Sequence, residues 1–137
     1  MLKAGVLGAG HLGKIHLKLL ELSDKFELVG FYDPSQENSK KVSDEFGYQR
    51  FNSVEELIDA VDIIDIVTPT LSHFECAKKA IEKGCHIFIE KPITNTVIEA
   101  EAIKTLASQR HIKGQVGHVE RFNPAFTAVN DKIDSPM

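Results

Sequence analysis

The sequence has no long apolar run, no cluster of basic residues and only two cysteines among its 137 residues. A membrane-spanning helix needs about 20 predominantly apolar residues in a row, so we expect no membrane segment. The net charge of −4 includes no basic patch, which argues against nucleic acid as a partner. The first apolar segment follows Met1 almost directly, and we expect no signal peptide.

The two cysteines, Cys76 and Cys85, lack a second Cys or a His pair at the spacing of metal ligands. We interpret them as reduced thiols of a cytoplasmic protein. No other set of His, Cys, Asp and Glu has metal-ligand spacing, and no Ser–His–Asp arrangement is evident. The sequence therefore predicts no metal site, and its length suits one domain.

A glycine-rich turn is the most informative motif that is present. The apolar segment Lys3–Leu7 leads into Gly8, Gly10 and Gly13, which have the spacing G-x-G-x-x-G, and a helical pattern follows. In a dinucleotide-binding turn the first glycine allows the bend, the second admits the pyrophosphate and the third lets the helix pack on the strand. The helix N-terminus then offers free N–H groups to phosphate. We therefore predict a dinucleotide site here.

Asp33 follows Gly13 at the distance expected for the acidic residue of such a site, directly after the apolar run Phe26–Tyr32. A carboxylate at this position binds the ribose hydroxyls of the adenosine and repels a 2′-phosphate, which favours NAD over NADP. An Asp that precedes Pro34 can also cap a turn, and the two roles are compatible.

Strand and helix patterns alternate along the chain and predict an α/β fold with a doubly wound parallel sheet. We expect six strands, at residues 3–7, 26–32, 50–51, 63–67, 85–89 and 112–116. Capping boxes at Ser53–Glu56 and Ser72–Glu75 predict the starts of two helices. In the first helix we expect an inward apolar stripe of Leu12, Ile15, Leu19, Leu20 and Leu22.

Ligands of an open α/β sheet bind at the carboxyl ends of its strands. The candidate site residues are those that follow the predicted strands: Gly8, Gly10, His11 and Leu12; Asp33; Thr68, Pro69 and Thr70; Glu90 and Lys91; Gly117, His118 and Glu120. Together they predict one crevice that is long enough for an extended dinucleotide.

Three polar residues, Lys91, His73 and Asp65, allow more than one interpretation. Lys91 can bind a substrate hydroxyl or take part in proton transfer, or it can be a solvated lysine at a strand end. His73 can reach the cofactor, or it can be a residue of a first helical turn without a partner. We interpret His16 as a packed histidine with a satisfied ring. Asp65 lies inside a predicted central strand, so it faces a helix N-terminus or the strand assignment is wrong.

The pattern changes after Gly117 to a polar, aromatic and proline-broken segment. His118, Glu120 and Arg121 belong to a polar cluster that is either an interdomain hinge or part of a substrate pocket. We place a dinucleotide-binding domain at residues 1–118 and the start of a second domain at residues 119–137. The second segment is too short to form a core of its own.

These motifs together resemble the Gfo/Idh/MocA family of NAD(P)-dependent oxidoreductases. The resemblance covers the chain up to about Pro124 and lies in four segments: Gly8–His16, Asp33, Thr68–Thr70 with His73, and Glu90–Ile93. The Glu-Lys-Pro segment is the most specific of these, because it falls at the end of a predicted strand with the expected spacing.

The resemblance implies a dehydrogenase that acts on a sugar, an inositol or a nucleotide sugar. It implies that Lys91 is the active-site lysine and that four residues contact the nicotinamide side of the cofactor: Glu90, Thr68, Pro69 and His73. The segment Gly117–Pro124 is similar to the crossover in members that oxidise the 3-hydroxyl of UDP-N-acetylglucosamine. This similarity makes His118, Glu120 and Arg121 candidate substrate residues.

Members of the family are much longer, and their second domain supplies the proton acceptor, most of the substrate pocket and the oligomer interface. We therefore expect this chain to be an amino-terminal fragment of a homo-oligomeric enzyme and to be inactive alone. Two other interpretations stay open: a non-catalytic NAD-binding sensor, and a reductase of an imine or of a biliverdin-like tetrapyrrole. Lys91 argues against the sensor, because cofactor binding does not need a lysine there.

Overall fold

Five parallel strands form the centre of the fold, in the order β2-β1-β3-β4-β5. The computed structural model describes residues 1–129. The strands are β1 (Leu2–Leu7), β2 (Phe26–Tyr32), β3 (Ile63–Ile66), β4 (His86–Ile89) and β5 (Gly114–Val116). The doubly wound parallel α/β sheet predicted from the sequence is confirmed, and its strand order changes direction between β1 and β3.

Six α-helices connect or follow these strands in the described part of the chain. They are α1 (His11–Glu21), α2 (Gln36–Phe46), α3 (Val54–Ile58), α4 (His73–Glu82), α5 (Val97–Gln109) and α6 (Pro124–Thr127). Short 3₁₀ segments at Thr70–Ser72 and Val119–Phe122 precede α4 and α6. Within residues 1–129, no helix combines the length and the apolar character that crossing a bilayer would need.

The strands end level with one another. Leu7 of β1 is paired with Tyr32 and with Ile66, Ile66 is paired with Ile89, and Ile89 is paired with Val116. The residues that directly follow these ends therefore form a row along one edge of the sheet: Gly8, Asp33, Val67, Glu90 and Gly117. We call this row the carboxyl edge.

Two apolar cores hold helices against the sheet. One core contains Leu57 of α3, Ile81 of α4 and Ile103 of α5. The other contains Leu17 of α1 and Val42 of α2. The first core also contains Ile64 of β3 and Ile87 of β4, and the second contains Val6 of β1 and Phe31 of β2.

The expectation of a sixth strand at residues 50–51 is wrong. Arg50 makes a single parallel bridge with Phe31. Two backbone hydrogen bonds of Phe31, 2.9 and 2.8 Å long, flank this bridge. Ser53 then caps α3 by accepting a hydrogen bond from the Glu56 amide. The segment therefore turns into a helix before a ladder can extend.

The expected inward stripe of α1 is also wrong. Leu12, Ile15, Leu19 and Leu22 are exposed by 42, 44, 62 and 72%, and of the expected stripe Leu20 alone packs against a core. A Cβ at Gly13 would overlap the carbonyl oxygen of Gly8. Because α1 approaches β1 so closely at Gly13, the helix face with Gly13 and Leu17 lies on the sheet. The four exposed residues therefore point away from it.

The predicted capping box at Ser72 does not form. Ser72 has helical backbone angles, φ −96° and ψ −8°, and its side chain makes no capping hydrogen bond. A capping residue needs an extended backbone so that its side chain can reach the first amides of the helix. The 3₁₀ turn at Thr70–Ser72 removes that geometry.

We predict that Gly13→Ala destabilises the fold by more than Gly10→Ala does. A Cβ at Gly13 meets the Gly8 backbone, whereas a Cβ at Gly10 would meet nothing within 4 Å. Overpacking against backbone should lower the free energy of unfolding by about 2 kcal/mol or more. Gly10 caps α1, so its replacement by Ala should cost about 1 kcal/mol or less. Urea denaturation of both variants measures the difference, and equal losses would contradict the packing argument.

Candidate functional site

The glycine-rich loop connects β1 to α1 at the carboxyl edge. Gly8 has φ +94°, and a Cβ there would stand 2.8 Å from the carbonyl oxygen of Val67. Gly8 and Gly13 are therefore required by the chain itself. Gly10 is not, because the space around its Cα is open. An open position in the middle of the loop is what a backbone that receives a pyrophosphate needs.

The N-terminus of α1 is free to bind an anion. Its N-cap is Gly10, which has no side chain to cap the helix, and the first turn contains no acidic residue. The Lys14 amide makes the first intrahelical bond, to the Gly10 carbonyl, so the amides of His11, Leu12 and Gly13 lack intrahelical acceptors. His11 and Leu12 are exposed. The helix dipole adds positive potential at this point.

Asp33 is tied to the glycine loop. Its Oδ2 accepts hydrogen bonds from the Ala9 amide at 2.8 Å and from the Asn38 side chain at 3.0 Å, and its Oδ1 accepts from the Ser35 amide at 2.9 Å. The turn-capping role that the sequence suggested is therefore present. A carboxylate can accept about four hydrogen bonds, so Oδ1 keeps room for a ribose hydroxyl.

The segment after β3 contains Thr68, Pro69, Thr70 and His73. The His73 ring is 1% exposed, and its Nδ1 and Nε2 lie 2.9 Å from the carbonyl oxygens of Pro92 and Thr68. A neutral imidazole has one N–H and can donate to only one of these carbonyls. The alternative of an unpartnered His73 is therefore wrong. This residue joins the segment after β3 to the segment after β4.

The segment after β4 places Glu90 and Lys91 beside that contact. Glu90 is buried, and its Oε2 accepts a hydrogen bond from the Lys91 amide at 3.0 Å. The Lys91 residue is exposed, and among residues 1–129 its ammonium makes no ion pair. A cation with no carboxylate partner is left at the carboxyl edge, where it can bind a hydroxyl or an anionic group.

Asp65 has a different partner from the two possibilities that the sequence suggested. The strand assignment is correct, and Asp65 Oδ2 lies 2.8 Å from Nδ1 of His16 on α1, not at a helix N-terminus. Its Oδ1 is buried without a hydrogen-bond partner in the part of the chain that the structure describes. His16 is thus a histidine with a satisfied Nδ1, and its Nε2 lies 3.5 Å from Glu90 Oε1.

The two ionisable groups of this contact influence each other. The hydrogen bond and the charge of Asp65, with a smaller effect of Glu90, raise the pKa of His16 above 6.5 although burial acts in the opposite direction. Burial raises the pKa of Asp65, and the contact with His16 limits that increase. His16 therefore holds a positive charge between two carboxylates over a wider pH range than a free histidine.

His118, Glu120 and Arg121 are exposed and follow β5. The Asn123 side chain donates a hydrogen bond to Glu120 Oε2 at 2.8 Å, and this contact stays within the segment. Among the described residues, no side-chain hydrogen bond or ion pair joins these three residues to the glycine loop. Residues 130–137, which belong to the expected second domain, lie outside the described residues.

The described residues contain no group of three or more His, Cys, Asp and Glu side chains that could hold a metal ion. Cys76 and Cys85 are free, buried thiols, and burial raises the pKa of each. The site is thus built from glycine backbone, one helix N-terminus and a few charged side chains.

A Rossmann-type dinucleotide-binding domain is the class that this fold and edge define. A family model described as "Oxidoreductase family, NAD-binding Rossmann fold" matches residues 2–118. The chain belongs to this family, the Gfo/Idh/MocA oxidoreductases, as its motifs suggested.

Known dehydrogenases are among the similar proteins. UDP-N-acetylglucosamine 3-dehydrogenase of Acidithiobacillus ferrooxidans is 39% identical over 125 residues, which are 90% of this chain and 39% of that enzyme. A solved structure of that enzyme has a TM-score of 0.87 and 36% identity, and the match covers 95% of this chain and 42% of that one. The scyllo-inositol 2-dehydrogenase (NAD(+)) of Bacillus subtilis is 35% identical over 137 residues, with coverages of 97 and 40%. The chain thus spans about two fifths of the length of these relatives.

Sequence reasoning named Gly117 as a site candidate but missed three features of the site. Asn38 donates hydrogen bonds to both the Ala9 carbonyl, at 3.1 Å, and to Asp33. Gly117 makes room for Glu90, because a Cβ there would stand 2.6 Å from Glu90 Oε1. The pairing of His16 with Asp65 was the third. Of these three features, only the pairing had a signal in the sequence, which was the polar Asp65 inside an apolar strand.

We predict that the stability of the wild type relative to Asp65→Asn falls as the pH rises through and above 6.5. The folded-state pKa of His16 is raised, so its stabilising contribution is fully present below 6.5 and is lost as the pH rises through the folded value. The raised pKa of Asp65 acts with the same sign at lower pH. Urea denaturation at a series of pH values measures the free energy of unfolding of both proteins. A difference between them that does not change with pH would contradict the pairing of His16 with Asp65.

Proposed function

We propose that this chain is the cofactor-binding part of an NAD-dependent dehydrogenase that acts on a secondary alcohol of a sugar or nucleotide sugar. The observation that carries the proposal is the level carboxyl edge. It aligns an uncapped helix N-terminus with open space at Gly10, the Asp33 carboxylate and the exposed Lys91 ammonium. The helix N-terminus suits a pyrophosphate, the carboxylate suits a ribose, and the ammonium suits a substrate hydroxyl.

The residues of the edge fit NAD. We assign the pyrophosphate to the backbone of Gly8, Gly10, His11, Leu12 and Gly13. Asp33 would accept hydrogen bonds from the adenosine ribose and exclude a 2′-phosphate by repulsion. Thr68, Pro69, Thr70 and Glu90 would lie on the nicotinamide side. His73, whose ring lies between the carbonyl oxygens of Thr68 and Pro92, would act there by donating a hydrogen bond to one of them.

We assign Lys91 to the substrate hydroxyl. Its ammonium would hold and polarise that hydroxyl, and the proton acceptor would come from a part of the enzyme outside this chain. When bound, the nicotinamide supplies or accepts the hydride, and the protein orients the reactants. His118, Glu120 and Arg121 would contribute to the substrate side once the rest of the enzyme covers them.

The substrate class rests on the relatives. The similar proteins include a UDP-N-acetylglucosamine 3-dehydrogenase and a scyllo-inositol 2-dehydrogenase, which are named for the oxidation of ring alcohols. We favour a nucleotide sugar, because the identity to the first of these enzymes is the higher and extends over 90% of this chain.

The whole enzyme would contain a second domain that begins at residue 119 and would form a homo-oligomer. The first proposal rests on the length of the relatives, of which this chain spans 39 and 40%, and the second rests on the resemblance to the family. This chain would then be inactive alone, because most of the substrate pocket would be missing. We place the enzyme in the cytoplasm, where the buried free thiols of Cys76 and Cys85 would stay reduced.

We predict that the chain binds NAD at least about tenfold more tightly than NADP, a difference of about 1.4 kcal/mol. The reason is the fixed Asp33 carboxylate at the end of β2. Fluorescence or calorimetric titration with both cofactors measures the ratio. NAD should also raise the melting temperature, since only the folded state offers the site.

The substitution Asp33→Ser should narrow this ratio. The ratio is taken within one variant, so any loss of loop anchoring at Ala9 affects both cofactors alike. Asp44→Ser provides a matched control, because Asp44 is an exposed aspartate of α2 that pairs with Lys40. Equal affinities in the wild type, or no thermal shift with NAD, would refute the cofactor proposal.

We predict that Lys91→Ala in the whole enzyme lowers kcat at least about a hundredfold, the range of a positioned acid–base group. NAD affinity should change little, because the lysine serves the substrate. Lys104→Ala is the control, since Lys104 is an exposed lysine of α5. Normal turnover of Lys91→Ala, or a loss of NAD binding, would show that the assigned role is wrong.

A further inference from the structure

Three ionisable side chains from three segments meet beside the carboxyl edge. His16 of α1 lies between Asp65 of β3 and Glu90 after β4, with Nδ1 2.8 Å from Asp65 Oδ2 and Nε2 3.5 Å from Glu90 Oε1. The three side chains are only 14, 11 and 8% exposed. The Phe88 ring lies beside the cluster, tilted against the imidazole with 5.9 Å between the two ring centroids.

Glu90 connects this cluster to the backbone of Lys91, the candidate catalytic lysine. While Oε1 of Glu90 faces His16, Oε2 of the same carboxylate accepts the hydrogen bond of the Lys91 amide at 3.0 Å. Gly117 leaves room for this carboxylate, because a side chain there would meet Oε1. The carboxylate thus has two partners, the imidazole at Oε1 and the Lys91 amide at Oε2.

We propose that His16 is a positioning residue for Lys91: it orients the Glu90 carboxylate, which in turn fixes the backbone of Lys91. The proposal rests on the proposed role of Lys91. It also links the two halves of the site, because His16 belongs to the helix whose N-terminus would bind the pyrophosphate, three residues beyond Gly13.

Protonation of His16 controls this arrangement. The imidazolium ring donates from both nitrogens and can hold both carboxylates, whereas the neutral ring has one N–H. Once His16 is neutral, Asp65 and Glu90 repel each other without an intervening cation. Asp65 from β3 and Glu90 from the end of β4 are the charged groups that raise the pKa of His16. His86 of β4 and Lys113 line the same sheet-face groove as His16, in the direction away from the carboxyl edge.

The alternative is that His16 only fastens α1 to the sheet. In that case the ring would still titrate and its loss would still cost stability, but the backbone at Lys91 would not respond. The two roles are distinguished by whether the Lys91 amide follows the protonation of His16.

The test is a pH titration of the cofactor-free chain by ¹H–¹⁵N NMR, in which the Lys91 amide and the His16 ring protons are followed together. We expect the Lys91 amide resonance to shift with the midpoint of the His16 ring, above pH 6.5. His16→Asn keeps an amide near the position of Nδ1, facing Asp65, and should lose this shift. His16→Gln places an amide near the position of Nε2, and it should hold the Lys91 resonance near its low-pH position at all pH values.

His86→Gln is the matched control, because His86 lies on the same sheet face but has no contact with Glu90 in the described part of the chain. It should leave the Lys91 titration unchanged. A wild-type Lys91 amide that does not follow His16, or one that shifts only in the acidic range of a free carboxyl group, would overturn the proposal even if a variant fails to fold. Because no cofactor is added, this outcome is independent of whether the chain binds NAD.

Discussion

The close approach of Gly13 to the carbonyl oxygen of Gly8 determines how the first helix lies on the sheet. A side chain at residue 13 would overlap that oxygen, so α1 can approach β1 only through this face. The approach brings Leu17 into the core and His16 against Asp65. The same rotation points the helix N-terminus along the carboxyl edge and leaves Leu12, Ile15 and Leu19 of α1 exposed. One backbone contact thus sets both the anion-binding end and the histidine that reaches Glu90.

Hydrogen bonds between side chains and the backbone organise the charge at the edge. Asp33 accepts one from the Ala9 amide, Glu90 accepts one from the Lys91 amide, and the His73 ring lies between the carbonyl oxygens of Thr68 and Pro92. The contacts of Asp33 with Ala9 and of His73 with Pro92 join segments that are distant in the chain. A preformed edge reduces the cost of ordering the site on binding.

The sequence supported the prediction of the fold class, the glycine loop and the residues after each strand. It did so because periodicity and glycine spacing report local geometry, which parallel pairing then repeats along the sheet. It did not reveal that the Arg50 segment makes only one bridge, or that the 3₁₀ turn prevents Ser72 from capping α4. Both outcomes depend on where neighbouring segments end, and no local pattern contains that information.

The residue types and spacings by themselves determined that a dinucleotide-type turn with Asp33 and Lys91 stands at strand ends. Only the tertiary structure decided which atoms these residues meet. Helical spacing alone does not show whether the stripe of Leu12, Ile15, Leu19 and Leu22 faces the core or the solvent. The contact of Gly13 with Gly8 turns this stripe toward the solvent. Asp65 likewise found its partner in His16, 49 positions away, because three-dimensional packing brings β3 beside α1. Buried charges are satisfied across segments, and pairings of that kind have no periodicity in the sequence.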